Sequence, residues 1–328
     1  VTLIGNDAAS EAFVAAADGT ALHHAWLLTG PEGVGKGGFA REMAMRLLAS
    51  ALDGRSRMRG EIGEDHRVAQ LMAAGAHPDY RELVRLPKDP DKPDQDIARS
   101  IKIDQVRTLQ PMFANKPALS SRRVVVIDAI DDLERPGANA LLKNLEEPPV
   151  GTIFLLVSHS PGRLLPTIRS RCRQLRFDPL QGTDVARVVR ATLPDIDDAE
   201  IDALVAASDG SPGRALAYAG LSVAGLDRDL LAIAETGDAD NRIRSRLAKA
   251  LAGKAAQSRY AVFLDRAPAL IAATARVRSG SALRDALDAY DKARILAAMA
   301  PALSLVAETT VFEMAGLVAR LAPGRGIA

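Results

Sequence analysis

Cysteine is nearly missing from this chain. Cys172 is the only one in 328 residues, which excludes an internal disulfide and any multi-cysteine zinc cluster. Net charge is nearly missing too: Lys and Arg exceed Asp and Glu by one, so no global field favours nucleic acid, and any basic patch must be argued site by site. No segment approaches the roughly 18 uninterrupted apolar residues of a membrane span. The first residues lack the basic-then-apolar pattern of a secretory signal, and a cytoplasmic protein without membrane contact is expected. What is present is ordinary for a soluble globular protein, 48% apolar and 25% charged, with a length that predicts two or three domains.

The first half alternates short apolar runs with amphipathic helical patterns. Trp26 to Leu28, Val124 to Ile127 and Ile153 to Val157 read as buried strands of a parallel sheet. Phe39 to Leu48 and Ala138 to Leu145 read as helices, so the alternation predicts a helix-covered α/β domain. Asp53 to Asp65 and Arg85 to Arg99, the latter with Pro87, Pro90 and Pro93, read as loops or insertions. After Pro179 the spacing turns helical, with Ser211-Pro212 as an N-cap followed by proline at the first helical position. The residues from 226 onward are helical almost throughout, ending in a tail predicted to fray over Ala322 to Ala328. The expected organisation is an α/β P-loop domain over 1–178, a small helical lid over 179–223 and an all-α domain over 224–328.

Gly30-Pro31-Glu32-Gly33-Val34-Gly35-Lys36-Gly37 follows the first strand and precedes a helix. In that setting glycines turn backbone amides toward phosphates and Lys36 supplies a cation. Gly30, Gly33, Gly35 and Lys36 are therefore candidate nucleotide-binding residues. Gly37 stands where a working loop carries the Ser or Thr whose hydroxyl binds Mg²⁺. The loop leaves open whether ATP or ADP is held, but it argues against efficient Mg²⁺-dependent hydrolysis.

A second part is missing as well. Val124 to Asp128 is an apolar strand ending in an acid, the arrangement that sets a carboxylate beside phosphate-bound Mg²⁺, so Asp128 joins the candidate site. Ala129 follows it, and a methyl group cannot polarise an attacking water. Asp131 and Asp132 lie close in sequence, but from a strand end they are expected to point elsewhere. His66 and His77 alone make a poor metal site, and no zinc or other metal is expected. His23-His24 reads as a turn or packing pair, and Trp26 as core.

Asn139 to Pro149 (NALLKNLEEPP) followed by Ser170-Arg171-Cys172 resembles the AAA+ subunits of bacterial clamp loaders, as do His23 to Gly30 and Ile101 to Arg107. The resemblance covers about residues 1 to 220. It implies that Arg171 is an arginine finger entering the ATP site of an adjacent subunit. It also implies that Arg214, in Gly210 to Arg214, approaches phosphates from the start of a lid helix, and that Ser158 occupies a first-sensor position. The implied partners are motor subunits of the gamma/tau type, a delta subunit, the sliding clamp and primer-template DNA, within a DNA polymerase III holoenzyme. The helical last third would be the collar through which subunits join. On this reading the chain is a non-hydrolysing subunit that requires no cofactor of its own. The alternatives are an ATP-hydrolysing AAA+ motor with unconventional Mg²⁺ ligation and, more remotely, a small-molecule kinase.

Overall fold

The computed structural model describes residues 4–19, 22–89, 91 and 97–323. Pro90, Pro93 and the tail from 324 onward lie outside them. The chain divides into two compact units, one of Val1–Ala191 with Asp209–Arg214 and the other of Thr192–Ser208 with Ala215–Ala328. The stretch expected as a lid is thus shared between the two.

The first unit contains, in chain order, α1 (Asp7–Asp18), β1 (Ala25–Thr29), α2 (Lys36–Asp53), α3 (Arg67–Ala73), β2 (Tyr80–Val84), α4 (Ile103–Arg107), α5 (Gln110–Phe113), β3 (Arg123–Asp128), α6 (Arg135–Glu146), β4 (Thr152–Ser158), α7 (Pro166–Ser170), β5 (Arg173–Arg176) and α8 (Gly182–Thr192). The five strands are all parallel, in the order β2-β3-β4-β1-β5. This is the parallel α/β architecture of a P-loop domain that the sequence predicts.

Why the central strands are central follows from their residues. Every residue of β1 and β4 is buried, as are Arg123 to Ile127 of β3, because helices cover both faces of the sheet. One core beneath the sheet includes Leu27, Val125, Ile127, Leu141, Phe154 and Leu156. On the other face Phe13 meets Trp26 and Phe39 edge-on at 4.9 and 5.7 Å, and Phe39 meets Phe177 at 5.0 Å. These rings fix α2 against β1 and thereby set the direction in which the intervening loop points. Trp26 is fully buried, its indole N–H donating to the His23 carbonyl at 3.0 Å.

The second unit contains α9 (Asp198–Ala207), most of α10 (Pro212–Tyr218), α11 (Val223–Thr236), α12 (Arg242–Leu251), α13 (Gln257–Arg276), α14 (Gly280–Ala302) and α15 (Ala307–Ala319). Leu226, Leu230, Phe263, Ile271, Val311 and Met314 are buried along it. Arg266 bridges α13 to α11 through a two-pronged pair with Asp227, at 2.9 and 2.8 Å. Asp238 caps the start of α12, accepting from the Ile243 and Arg244 amides at 3.0 and 2.9 Å. Among the described residues, no helix is long and apolar enough to cross a membrane.

Candidate functional site

The phosphate loop lies between β1 and α2, at the carboxyl end of the sheet. Gly30, Gly33 and Gly35 all have positive φ, at 148°, 78° and 96°. Gly30 also sits where a Cβ would overlap the Phe177 carbonyl, and Gly33 where one would overlap the Ser211 hydroxyl. Only glycine gives this turn both its conformation and its clearance. The 209–214 segment closes over the tip of the loop: Ser211 Oγ donates to the Glu32 carbonyl at 2.9 Å, and the Gly213 amide donates to the Gly33 carbonyl at 2.9 Å.

Lys36 is buried, and its ammonium donates to the carbonyl of Gly30 at 2.7 Å and to that of Pro31. Burial pulls its pKa down to about 8, against the pull of Asp128, Glu32 and Asp131. Arg214 donates to Asp209 at 2.8 Å, and its amide bonds Ser211 Oγ at 3.2 Å.

Asp128 ends β3, and burial raises its pKa despite the nearby Arg41. Its carboxylate presses against the start of α2, so that a Cβ at Gly37 would overlap Oδ2. Arg41 Nη1 lies 3.7 Å from the same oxygen and 2.7 Å from Glu82 Oε1. The site does not fit Mg²⁺ in the manner of a hydrolysing P-loop. Position 37 offers no hydroxyl, a Cβ there would overlap Asp128 Oδ2, and the half-exposed Arg41 guanidinium stands 3.7 Å from that oxygen.

The two other acids that might have served instead are committed elsewhere. Asp131 accepts from Ser158 Oγ at 2.9 Å and from the His159 and Ser160 amides at 2.6 and 3.2 Å, capping the end of β4. Asp132 pairs with Arg85 at 3.1 Å. The Ser158 hydroxyl, fully buried, is thereby directed at Asp131.

Arg171 stands at the opposite end of the sheet. β5 runs parallel to β1 with Arg173 level with Trp26 and Arg176 level with Thr29. Arg171 therefore lies before the start of this pairing, whereas the phosphate loop begins after its end. Six residues of strand, roughly 20 Å, separate the two levels. Arg171 ends the short helix α7, with Nη1 donating to the Thr167 carbonyl at 3.0 Å and Nη2 paired with Glu146 of α6 at 2.7 Å. Its side chain is 35% exposed. Cys172 beside it has its thiol pushed up to about 12 by burial.

Four of the five histidines have structural partners. His23 and His24 stack at 4.5 Å, with ring nitrogens at 2.8 Å from the Ala25 carbonyl and 3.0 Å from that of Leu145. His66 caps α3 by accepting from the Val68 amide, and His77 accepts from the Asp79 amide, both at 3.1 Å. No group of three or more His, Cys, Asp and Glu that could hold a metal occurs among the described residues.

The structure thus gathers Gly30, Gly33, Gly35, Lys36, Asp128 and the backbone ahead of Arg214 at one end of the sheet and leaves Arg171 at the other. Arg41 and Glu146, not singled out in the sequence, hold Asp128 and Arg171. Arg41 was findable, because a residue four after Gly37 on a helix shares its face.

Comparison with known proteins gives the lineage. The profile of the family described as DNA polymerase III, delta subunit, matches residues 5–181. DNA polymerase III subunit delta' of Pseudomonas aeruginosa is 41% identical over 196 residues, which are 59% of this chain and 55% of that protein. The subunit delta' of Escherichia coli is 35% identical over 202 residues, 60% of this chain and 54% of that protein. The chain thus matches about half the length of these curated relatives. A gamma subunit-related protein of Thermotoga maritima is a looser structural likeness, with a TM-score of 0.46 and 18% identity over 94% of this chain and 98% of the other. With a profile match over more than half its length, the chain belongs to the DNA polymerase III delta-subunit family.

Proposed function

We propose that the chain is a non-hydrolysing, delta-prime-type subunit of a bacterial sliding-clamp loader, acting on the ATP of a neighbouring subunit through Arg171. The observation that carries this is the separation of two functions within one sheet. The chain's own phosphate loop lacks the hydroxyl and the water-activating acid of a hydrolase, while Arg171 sits at the far end, beyond reach of that loop. A permanently charged, planar guanidinium suits the task of neutralising charge on a transferring phosphoryl group. Comparable fingers contribute on the order of 10³–10⁵ in rate.

The partners on this reading are gamma/tau-type motor subunits and a delta subunit, with the sliding clamp and primer-template DNA engaged by the assembly. The 179–223 stretch serves as the lid and 224–328 as the collar. Exposed apolar side chains on α14, Leu287, Ile295 and Met299, with Leu303 just past its end, support a collar role, since such side chains fit burial against other subunits better than solvent. The chain requires no nucleotide or zinc of its own. ATP turnover tests the reading: the isolated chain should show no Mg²⁺-dependent hydrolysis and should raise turnover when added to motor subunits. Robust hydrolysis by the chain alone would restore the motor-type alternative.

A further inference from the structure

The surroundings of Asp128 are built around an arginine. Glu82 on β2 is level with Val126 of β3, so Glu82 and Asp128 lie two positions apart on the same face of neighbouring strands. Arg41 reaches from α2 to both, 2.7 Å from Glu82 Oε1 and 3.7 Å from Asp128 Oδ2. Tyr80 steadies the far side, its hydroxyl donating to Glu82 Oε2 at 3.1 Å. Gly37, one turn before Arg41, leaves the space that the Asp128 carboxylate fills, and Arg41 Nη2 lies 3.2 Å from where a Cβ on Gly37 would stand.

We infer that Arg41 is the resident counter-ion of Asp128, a tethered cation taking over the charge-neutralising role that a divalent metal plays at a hydrolysing site. The inference stands apart from the trans-acting role of Arg171, because it concerns only this chain's own loop.

The physical case is one of charge and space. A carboxylate withdrawn from water needs a cation, and Arg41 acts most strongly on this one, ahead of His159 and Lys36. Mg²⁺ demands near-octahedral oxygen ligands at roughly 2.0–2.1 Å. Here a metal would meet a Gly37 with no side-chain oxygen and the Arg41 guanidinium beside the carboxylate. The guanidinium meets no such obstacle, and by pairing with Glu82 it also ties α2 to the sheet edge. Gly37 and Arg41 therefore form one device: the glycine admits the carboxylate, and the arginine holds it.

The test is divalent-metal binding by the full chain, with Mn²⁺ as the probe, read by electron paramagnetic resonance and by thermal melting. Wild type should bind no Mn²⁺ that Asp128→Asn removes, and millimolar Mn²⁺ should leave its melting temperature unchanged. Arg41→Ala should melt about a degree or two lower, because Asp128 and Glu82 lose their shared cation. Mn²⁺ should restore part of that loss, and Arg41→Ala/Asp128→Asn should abolish the rescue. Gly37→Ser, which restores the hydroxyl but displaces the carboxylate, should lower the melting temperature without creating an Mn²⁺ site. Asp128-dependent Mn²⁺ binding by wild type or by Gly37→Ser would overturn the inference. So would an Arg41→Ala protein whose melting does not respond to Mn²⁺.

Discussion

Replacing Glu146 by Gln removes the carboxylate that holds Arg171 while keeping the size of the side chain. The pair is 2.7 Å long, but its two side chains are 35% and 49% exposed. Exposed ion pairs of this kind contribute about 0.2–1 kcal/mol. A finger that serves a neighbour must leave this partner before it can meet a phosphate. The pair is then a cost on the active arrangement, and Glu146→Gln lowers that cost by the same amount. At RT of about 0.6 kcal/mol the gain is at most about fivefold in partner-site hydrolysis. The hydrogen bond from Arg171 to the Thr167 carbonyl survives the change and keeps the side chain near its starting direction. The assay is steady-state ATP turnover of the assembled loader at low and high salt. The gain should be largest at low salt and shrink as ions screen the wild-type pair. Stability of the isolated variant should fall by less than about 1 kcal/mol. A loss of turnover comparable to that of Arg171→Ala would refute the reasoning, since Glu146 would then be aiming the finger instead of restraining it.

Further outcomes follow from burial. Lys36 has its pKa pulled down to about 8 from an ordinary 10.5, so folding disfavours its protonated form. Below pH 8 that cost is present in full, and it disappears as pH rises from about 8 to 10.5, where the folded chain sheds a proton that the unfolded chain keeps. The corresponding gain in stability is roughly 3 kcal/mol, and urea titrations across that window should show it in wild type and not in Lys36→Met. The Cys172 thiol, pushed up to about 12 by burial, should react slowly with iodoacetamide at pH 8 in the native chain and rapidly in denaturant; equal rates would contradict its packing. Gly213→Ala places a methyl carbon 2.8 Å from the Gly33 Cα, so it should cost about 1–3 kcal/mol by lifting the 209–214 turn from the phosphate loop. An unchanged urea midpoint would show that the turn yields without cost.

The parts of the fold legible in the sequence were those buried on two sides. β1, β3 and β4 carry apolar runs because helices cover both faces, and the runs read from the sequence fall inside the observed strands. β2 and β5 gave no such signal. They are edge strands, Tyr-Arg-Glu-Leu-Val and Arg-Gln-Leu-Arg, with a single buried residue each, so solvent removes the pattern that burial writes. The phosphate loop was legible because glycine spacing encodes backbone conformation directly, and the missing hydroxyl at Gly37 was visible by inspection. What fills the space left by that hydroxyl was not. The approach of Asp128 to Gly37, the pairing of Arg41 with Glu82, and the turn of Asp131 toward Ser158 each join residues from different strands or helices. Ser211-Pro212 was read as a helix start, and α10 does begin at Pro212, but the contact of Ser211 with the Glu32 carbonyl spans 179 positions of sequence.

The central claim is that this chain has ceded its own hydrolysis and completes a neighbour's site. Its most direct test is ATP turnover, stimulated by clamp and DNA, in a reconstituted loader carrying Arg171→Ala, with assembly followed by size-exclusion chromatography. Assembly should persist while stimulated turnover collapses, by as much as the 10³-fold or more that comparable fingers supply at the site they serve. Unchanged turnover in a fully assembled Arg171→Ala complex would contradict the account.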